Sequence, residues 1–540
     1  MLSERQIALL EPFGQRRRVG AGDVLFRVGD AEYDFHVVID GVVAIVDEHD
    51  DGQRTLALHG AGEFVGDLAL LTGGVAFAAA VVARPGELLR VSAARLREVV
   101  EEEPALSELI VHALLVRRGL LIRDRGGVEI IGSPAARDTQ RLRRFLRRNN
   151  VPHAVSDARR DPRALDRLTR AGATPEQTPV VLLSRRRSLA NPATGELARA
   201  LGLEGAAPRT DAYDLVIVGA GPAGLAASVY AAADGLNAAT VEVLATGGQA
   251  GTSPRIENYL GFPAGVSGAE LTQRALLQAV KFGAEFLLPR AAVAVSPADE
   301  GRHVVTLDDG AQLVARAVII ATGATYRRLD VPGAERFEAF GLYYAATHLE
   351  ADACRGGDVI VVGGGNSAGQ AALSLAAYAR RVHLLVRRAN LRATMSRYLI
   401  ERIAAHERVV LATSCWVREL VGDLDLEAAV VEGPDGTTRR LPVRAVFALL
   451  GAEPRTGWLP ETVERDEHDF VLTGERISES ARRSPRWASV GRGPAALETS
   501  VPGVLAAGDV RSGSVKRVAS AVGEGATASR VVRERLVPVE

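Results

Sequence analysis

Cysteine is nearly missing: among 540 residues only Cys354 and Cys415 carry a thiol. They stand far apart, which excludes a CxxC motif, a Cys-rich metal site and a disulfide framework. Lysine is as scarce, with only Lys281 and Lys516, while arginine abounds. That bias looks like genomic base composition rather than function. The formal net charge is -1, so nothing calls for a nucleic acid or an acidic membrane as partner. No charge-free apolar run approaches the roughly 18 residues of a membrane helix. No basic region followed by an apolar stretch opens the chain. A cytoplasmic protein without a membrane span is expected. The length exceeds what one core can organise, so about three or four domains are expected.

What is present centres on Asp214 to Tyr230, DLVIVGAGPAGLAASVY. Leu215 to Val218 read as a buried parallel strand. Gly219, Gly221 and Gly224 follow at G-x-G-x-x-G spacing, then an alanine-rich helix. The first glycine permits the strand-to-helix turn, the second lets backbone approach a pyrophosphate, and the third lets helix pack on strand. A second strand is expected over Ala239–Val243, with Glu242 about 20 residues past the glycines to bind ribose hydroxyls.

In chain order, residues 1–125 read as a small β-barrel followed by helices over Ala93–Glu102 and Pro104–Leu121. Separate short strands are expected at Phe35–Ile39, Val42–Val46, Ala79–Val82 and Glu87–Arg90. The Gly29–Asp30 turn, the Val38–Gly41 corner and GEFVGDLALL (Gly62–Leu71) resemble cyclic-nucleotide-binding domains. The resemblance implies that Gly66, Asp67, Leu68 and Ala69 cradle a ribose and cyclic phosphate, with Asp67 as the ribose acid. Phe77 stands where that family has its phosphate-binding arginine. Loss of that charge-assisted bond favours a scaffold or interaction domain over a working sensor of a cyclic nucleotide or other ligand.

Residues 128–205 show a β-α-β-α-β-α order that resembles thioredoxin or glutaredoxin folds, which carry a cis-proline where Pro179 stands. Their CxxC position reads Ser133-Pro134-Ala135-Ala136-Arg137 here. Without a thiolate, dithiol exchange is impossible, and a spacer or docking role is expected. A Gly/Pro-containing linker ends near Thr210.

Beyond it come Thr246-Gly247-Gly248-Gln249, Asn258, and VIIATG ending at Gly323. A second fingerprint, Gly363, Gly365 and Ala368 with Asn366 between them, follows the strand Val359–Val362. Its next strand ends in Arg387 and Arg388, with Arg392 nearby. Arginines at the place of the ribose acid favour a 2′-phosphate, hence NADPH over NADH. VLAAGD (Val504–Asp509) and a helix near Val518–Val531 close the chain.

Over 211–540 these motifs, in this order, resemble the low-molecular-weight thioredoxin reductases. The resemblance implies a multidomain chain whose core is an α/β flavoprotein with two Rossmann-like dinucleotide-binding domains. FAD would be held by a split domain, 211–325 plus 453–540, and NADPH by the inserted 326–452. It places Gly508, Asp509 and Glu242 on FAD, Gln249 and Asn258 along the flavin, and Arg517 and Val518 at its pyrimidine end. A homodimer follows by the same analogy.

The family's CxxC is missing. Its place reads Ala345-Ala346-Thr347-His348-Leu349, with Cys354 single and downstream. His348 is either a general acid–base group or a helix residue bonded to a carbonyl. Cys354 is either a redox thiol or a buried inert one. Three functions stay open: an NADPH-to-FAD oxidoreductase with an unknown acceptor, a thioredoxin-disulfide reductase using another thiol, and a nucleotide-binding redox sensor with little turnover.

Overall fold

The computed structural model describes the chain apart from residues 48–53, 124–127, 135, 185–186, 205–211, 254, 257, 339–340, 345–353, 424 and 537–540, and the side chains of 119, 121–123 and 184. It divides into two compact units, 1–323 with 456–540, and 324–455.

The first unit opens with an all-antiparallel sheet. Phe35–Asp47 and Ala79–Val91 pair along their length, flanked by Gly14–Val19 and Arg54–His59. Each of these two strands is a single 13-residue element where two short strands were expected from the sequence. Glycine is the reason. Gly41 has φ +96, and a Cβ on Gly86 would lie 2.1 Å from the Asp40 carbonyl oxygen. The two strands cross closely and bend through bulges there, so a turn-like sequence stays in strand. Helices Ala93–Glu102 and Pro104–Arg123 close the barrel, burying Leu96, Val99, Leu106, Ile110 and Leu114 against Phe35 and Leu89.

Next comes a four-stranded sheet. Val128–Ile131 runs parallel to His153–Ser156 and antiparallel to Val180–Ser184, which pairs with Arg187–Ala190. Helices Arg137–Arg148, Pro162–Arg170 and Thr194–Ala200 cover it. The Thr178–Pro179 bond is cis, as expected. Strand Arg187–Ala190 was not foreseen. Its register slips at Arg187/Ser188, and its four residues carry too little alternation to signal a strand.

The remainder of this unit is a seven-stranded sheet. Ala212–Val218 lies between Ala238–Val241 and Gln312–Ile320, all parallel, and Val504–Ala506 joins Gln312–Ile320 on its other side. Helices Pro222–Ala233 and Val518–Leu536 pack on it. They approach closely enough that a Cβ on Gly525 would lie 2.0 Å from the Ala223 carbonyl oxygen.

The second unit holds a five-stranded parallel sheet in the order Leu342–Tyr343, Ala445–Ala448, Asp358–Val362, Arg381–Val386, Val409–Thr413. Helices Asn366–Leu375 and Arg397–Ala404 cover it, and an antiparallel meander spans Trp416–Pro442. Among the described residues no helix is long and apolar enough to cross a membrane.

Candidate functional site

The first glycine loop sits at the carboxyl end of Ala212–Val218. A Cβ on Gly219 would lie 2.4 Å from the Ala321 carbonyl oxygen, and one on Gly224 only 1.7 Å from that of Gly219. Both glycines are therefore required by packing. Gly221 differs: a Cβ there would meet nothing nearer than 3.9 Å. It is the N-cap of helix Pro222–Ala233, and no side chain caps it. Bare backbone, free helix-end amides and open space together fit a pyrophosphate.

Glu242 is buried under this loop. Its Oε2 accepts from the Ala220 amide at 2.9 Å and its Oε1 from the Leu244 amide at 3.1 Å. The carboxylate is thus fixed by the loop it serves. Gly248 lies against Gly221, since a Cβ on it would come within 2.9 Å of the Gly221 Cα. Gln249 and Asn258 are exposed. Gly323, with φ +67, ends the strand segment beside Ala321.

The VLAAGD turn reaches the same helix from the other side. A Cβ on Gly508, φ +78, would lie 2.9 Å from the Ala223 Cβ. Burial raises the Asp509 carboxyl above its usual range, and Lys516 partly offsets this. Lys516 Nζ donates to the Asp509 carbonyl at 3.0 Å. Two partners of this turn were not foreseen. The Gly508 amide donates to Glu524 Oε2 at 2.7 Å, and Arg511 pairs with the same carboxylate. Gly523-Glu524-Gly525 inside an otherwise good helix was the available signal, because glycine mid-helix costs stability unless something demands it. Arg517 and Val518 stand at the start of Val518–Leu536.

In the second unit Gly363 repeats the first pattern: a Cβ there would lie 2.5 Å from the Leu449 carbonyl oxygen. Gly365, N-cap of Asn366–Leu375 without a side-chain cap, is open like Gly221. Ala368 is buried against Gly363. Asn366 Oδ1 accepts from the Ser396 amide at 2.7 Å, tying the helix start to the loop before Arg397–Ala404. Arg387, Arg388 and Arg392 are exposed and make no ion pair among the described residues.

Ala345, Ala346, Thr347, His348 and Leu349 lie outside the described residues. Cys354 is 1% exposed inside the apolar core of the second unit. Cys415 is also buried, and its Sγ–H donates to the Thr413 carbonyl at 3.2 Å. Among the described residues no cluster of His, Cys, Asp and Glu could hold a metal.

The N-terminal cassette is taken by the chain itself. Asp67 accepts from Arg118 Nε and Nη2, both at 3.0 Å, and from the Leu68 amide at 2.6 Å. Gly66 precedes it, and Leu68 and Ala69 begin the short helix Ala69–Thr72. Arg118 comes from the helix after the barrel, which sequence spacing alone could not connect to Asp67. Its guanidinium lies 4.6 Å from the Phe77 ring centroid. Phe77 does not face an open pocket: with Val75 it belongs to the buried core of the 128–201 sheet unit. Phe77 thus packs between the antiparallel barrel and the four-stranded sheet. Arg118 Nη1 reaches the Asn150 carbonyl at 3.4 Å, and Asn150 Nδ2 donates to Gln273 Oε1 at 3.1 Å in helix Gly268–Lys281.

Two uncapped glycine loops, each following a central parallel strand, have the form of two dinucleotide-binding sites. Residues 213–525 match the pyridine nucleotide-disulphide oxidoreductase family, and residues 16–103 match the cyclic nucleotide-binding domain. A thioredoxin reductase of Treponema pallidum is 33% identical over 318 residues, which span 59% of this chain and 95% of the relative. One from Listeria monocytogenes is 32% identical over 321 residues, 59% of this chain and 92% of the relative. The crystal structure of thioredoxin reductase from Streptococcus pyogenes aligns with TM-score 0.53 at 31% identity, covering 60% of this chain and 98% of that one. The chain belongs to the pyridine nucleotide-disulphide oxidoreductase family, in its thioredoxin reductase branch, with a cyclic-nucleotide-binding-type domain fused at its N-terminal side. It is an FAD-dependent NAD(P)H oxidoreductase, and its cofactors are FAD and NADPH.

Proposed function

We propose that this protein oxidises NADPH through its flavin and passes the electrons to an acceptor that a CxxC dithiol does not serve. The observation that carries the reading is the cysteine inventory: two thiols in 540 residues, both buried, not spaced as a pair. FAD supplies the two-electron redox chemistry when bound. The chain's own part is positional. Gly219, Gly221, Gly224 and the start of helix Pro222–Ala233 hold its pyrophosphate, Glu242 its adenosine ribose, and Gly508 with Asp509 its ribityl chain. Gly248, Gln249, Asn258 and Gly323 border the flavin. Arg517 and Val518 bring a helix N-terminus to the flavin, where positive potential favours the reduced anion.

The anaerobic holoprotein is expected to bleach rapidly on mixing with NADPH. In steady state it turns over with a quinone, a one-electron carrier or oxygen, and shows no thioredoxin-dependent reduction of an aromatic disulfide. Robust thioredoxin turnover overturns this reading. Failure to bleach points instead to a nucleotide-binding sensor.

On the second unit, Gly363, Gly365, Asn366 and Ala368 hold the NADPH pyrophosphate, and Arg387, Arg388 and Arg392 its 2′-phosphate. Their exposure and lack of competing carboxylates support this. The double variant Arg387→Ala/Arg388→Ala is expected to raise KM for NADPH about 10- to 100-fold, the scale of lost charge-assisted bonds, with KM for NADH unchanged. An equal rise for both cofactors sinks the assignment. The N-terminal domain acts in this reading as a scaffold, because Asp67 is already paired. The chain is proposed to work in the cytoplasm as a homodimer.

A further inference from the structure

Residues 479–492 form a feature that the redox reading does not use. Two short helices, Glu479–Arg482 and Pro485–Val490, are pinned by Trp487, fully buried with its Nε1–H donating to the Ser500 carbonyl at 3.0 Å. Behind them lies a cavity of about 330 Å³. It borders Val504 at the start of its strand, Arg316 on Gln312–Ile320, and the end of the last helix. The glycine loops lie at the opposite ends of these parallel strands, so the cavity is separate from the flavin site.

Its lining has two characters. Val295, Val463, Val490, Val501 and Val532 make apolar walls. Arg302, Arg316, Arg486, Arg492 and Arg535 also line it, and among the described residues no carboxylate does. Arg302 pairs with Glu300, Arg316 with Asp214, and Arg492 and Arg535 share Glu498, whose side chain is fully buried. Among the described residues, five guanidinium groups against three carboxylates leave two positive charges. Arg486 is exposed at the cavity and makes no ion pair among the described residues. His303, 4% exposed, lines the same space. A concave apolar space of this size with a few convergent polar groups is the usual form of a small-molecule site.

We propose that this cavity binds an apolar carboxylic acid. Its carboxylate meets Arg486 and the Arg492–Arg535 edge, and its hydrocarbon body lies on the valines. The guest is an effector or cargo rather than the electron acceptor, because it lies at the far strand ends from the nucleotide loops.

The test uses the full-chain holoprotein and octanoate as probe, followed by calorimetry and by tryptophan emission. One saturable site per chain is expected. Octanamide, equally long but uncharged, binds about tenfold weaker or worse. Arg486→Ala produces a similar loss, and Arg486→Lys, which keeps the charge, a smaller one. Arg486 is exposed and lies at the far strand ends from the glycine loops, so its removal leaves flavin content unchanged, which serves as the folding control. The proposal is overturned if octanoate shows no saturation, or if octanamide or Arg486→Ala matches octanoate on the native protein.

Discussion

Replacing Gly221 with alanine yields a folded protein that purifies without its flavin. The new methyl group meets no protein atom nearer than 3.9 Å, so the loop keeps its shape. It stands on the backbone that a pyrophosphate must approach. Gly224→Ala reaches the same loss by another route. Its Cβ would lie 1.7 Å from the Gly219 carbonyl oxygen, so the helix must leave the strand. Overpacking of that severity costs about 3 kcal/mol or more of stability, and a displaced helix start no longer presents its amides to the pyrophosphate. The two variants separate on a melting curve measured without flavin: Gly221→Ala melts like the stripped native protein, and Gly224→Ala melts lower. The readout is the ratio of flavin to protein absorbance after purification. A fully yellow Gly221→Ala protein shows that the pyrophosphate sits elsewhere.

Removing Arg118 destabilises the N-terminal domain more than any surface change there. Asp67 and Arg118 are both largely buried, with side-chain exposures of 11% and 9%, and their bond is bidentate. Arg118→Ala strands the Asp67 carboxylate, and an unpaired buried charge costs about 3–5 kcal/mol. The variant also removes the cation lying on Phe77 and the bond to Asn150. Its effect therefore extends into the 128–201 unit. Asp67→Asn combined with Arg118→Met, which removes both charges at similar volume, recovers most of the loss. Protection of barrel amides from hydrogen exchange measures this in the intact chain. If Arg118→Ala leaves protection unchanged, the pair is not structural. The same pair predicts that cyclic nucleotides give no heat at micromolar concentration in calorimetry, and micromolar binding overturns the scaffold role.

Local chemistry was legible in the sequence. The two glycine loops, Glu242 beside the first, and the arginines after the second were placed from spacing alone. A strand–turn–helix of a few residues carries its own geometric demands, which periodicity and glycine reveal. The cis bond at Pro179 was read from a fold resemblance in the same way. The missing CxxC was legible as well, because an absent thiol needs no coordinates.

Other features needed the tertiary structure because their partners are distant in the chain. Arg118 meets Asp67 across 51 residues, and Glu524 meets Gly508 across 16. Phe77 packs into the core of the 128–201 sheet, a contact no local window contains. The expected short strands merge because Gly41 and Gly86 cross, a contact between residues 45 apart that no local window contains. The arginine-lined cavity is assembled from segments between Val295 and Leu536. The two glycine fingerprints and the scarcity of cysteine are readable from the chain alone, since both are matters of residue type at fixed spacing. Which charges are already paired, as Asp67 is by Arg118, needed the folded chain, since pairing and burial depend on contacts between distant parts of it.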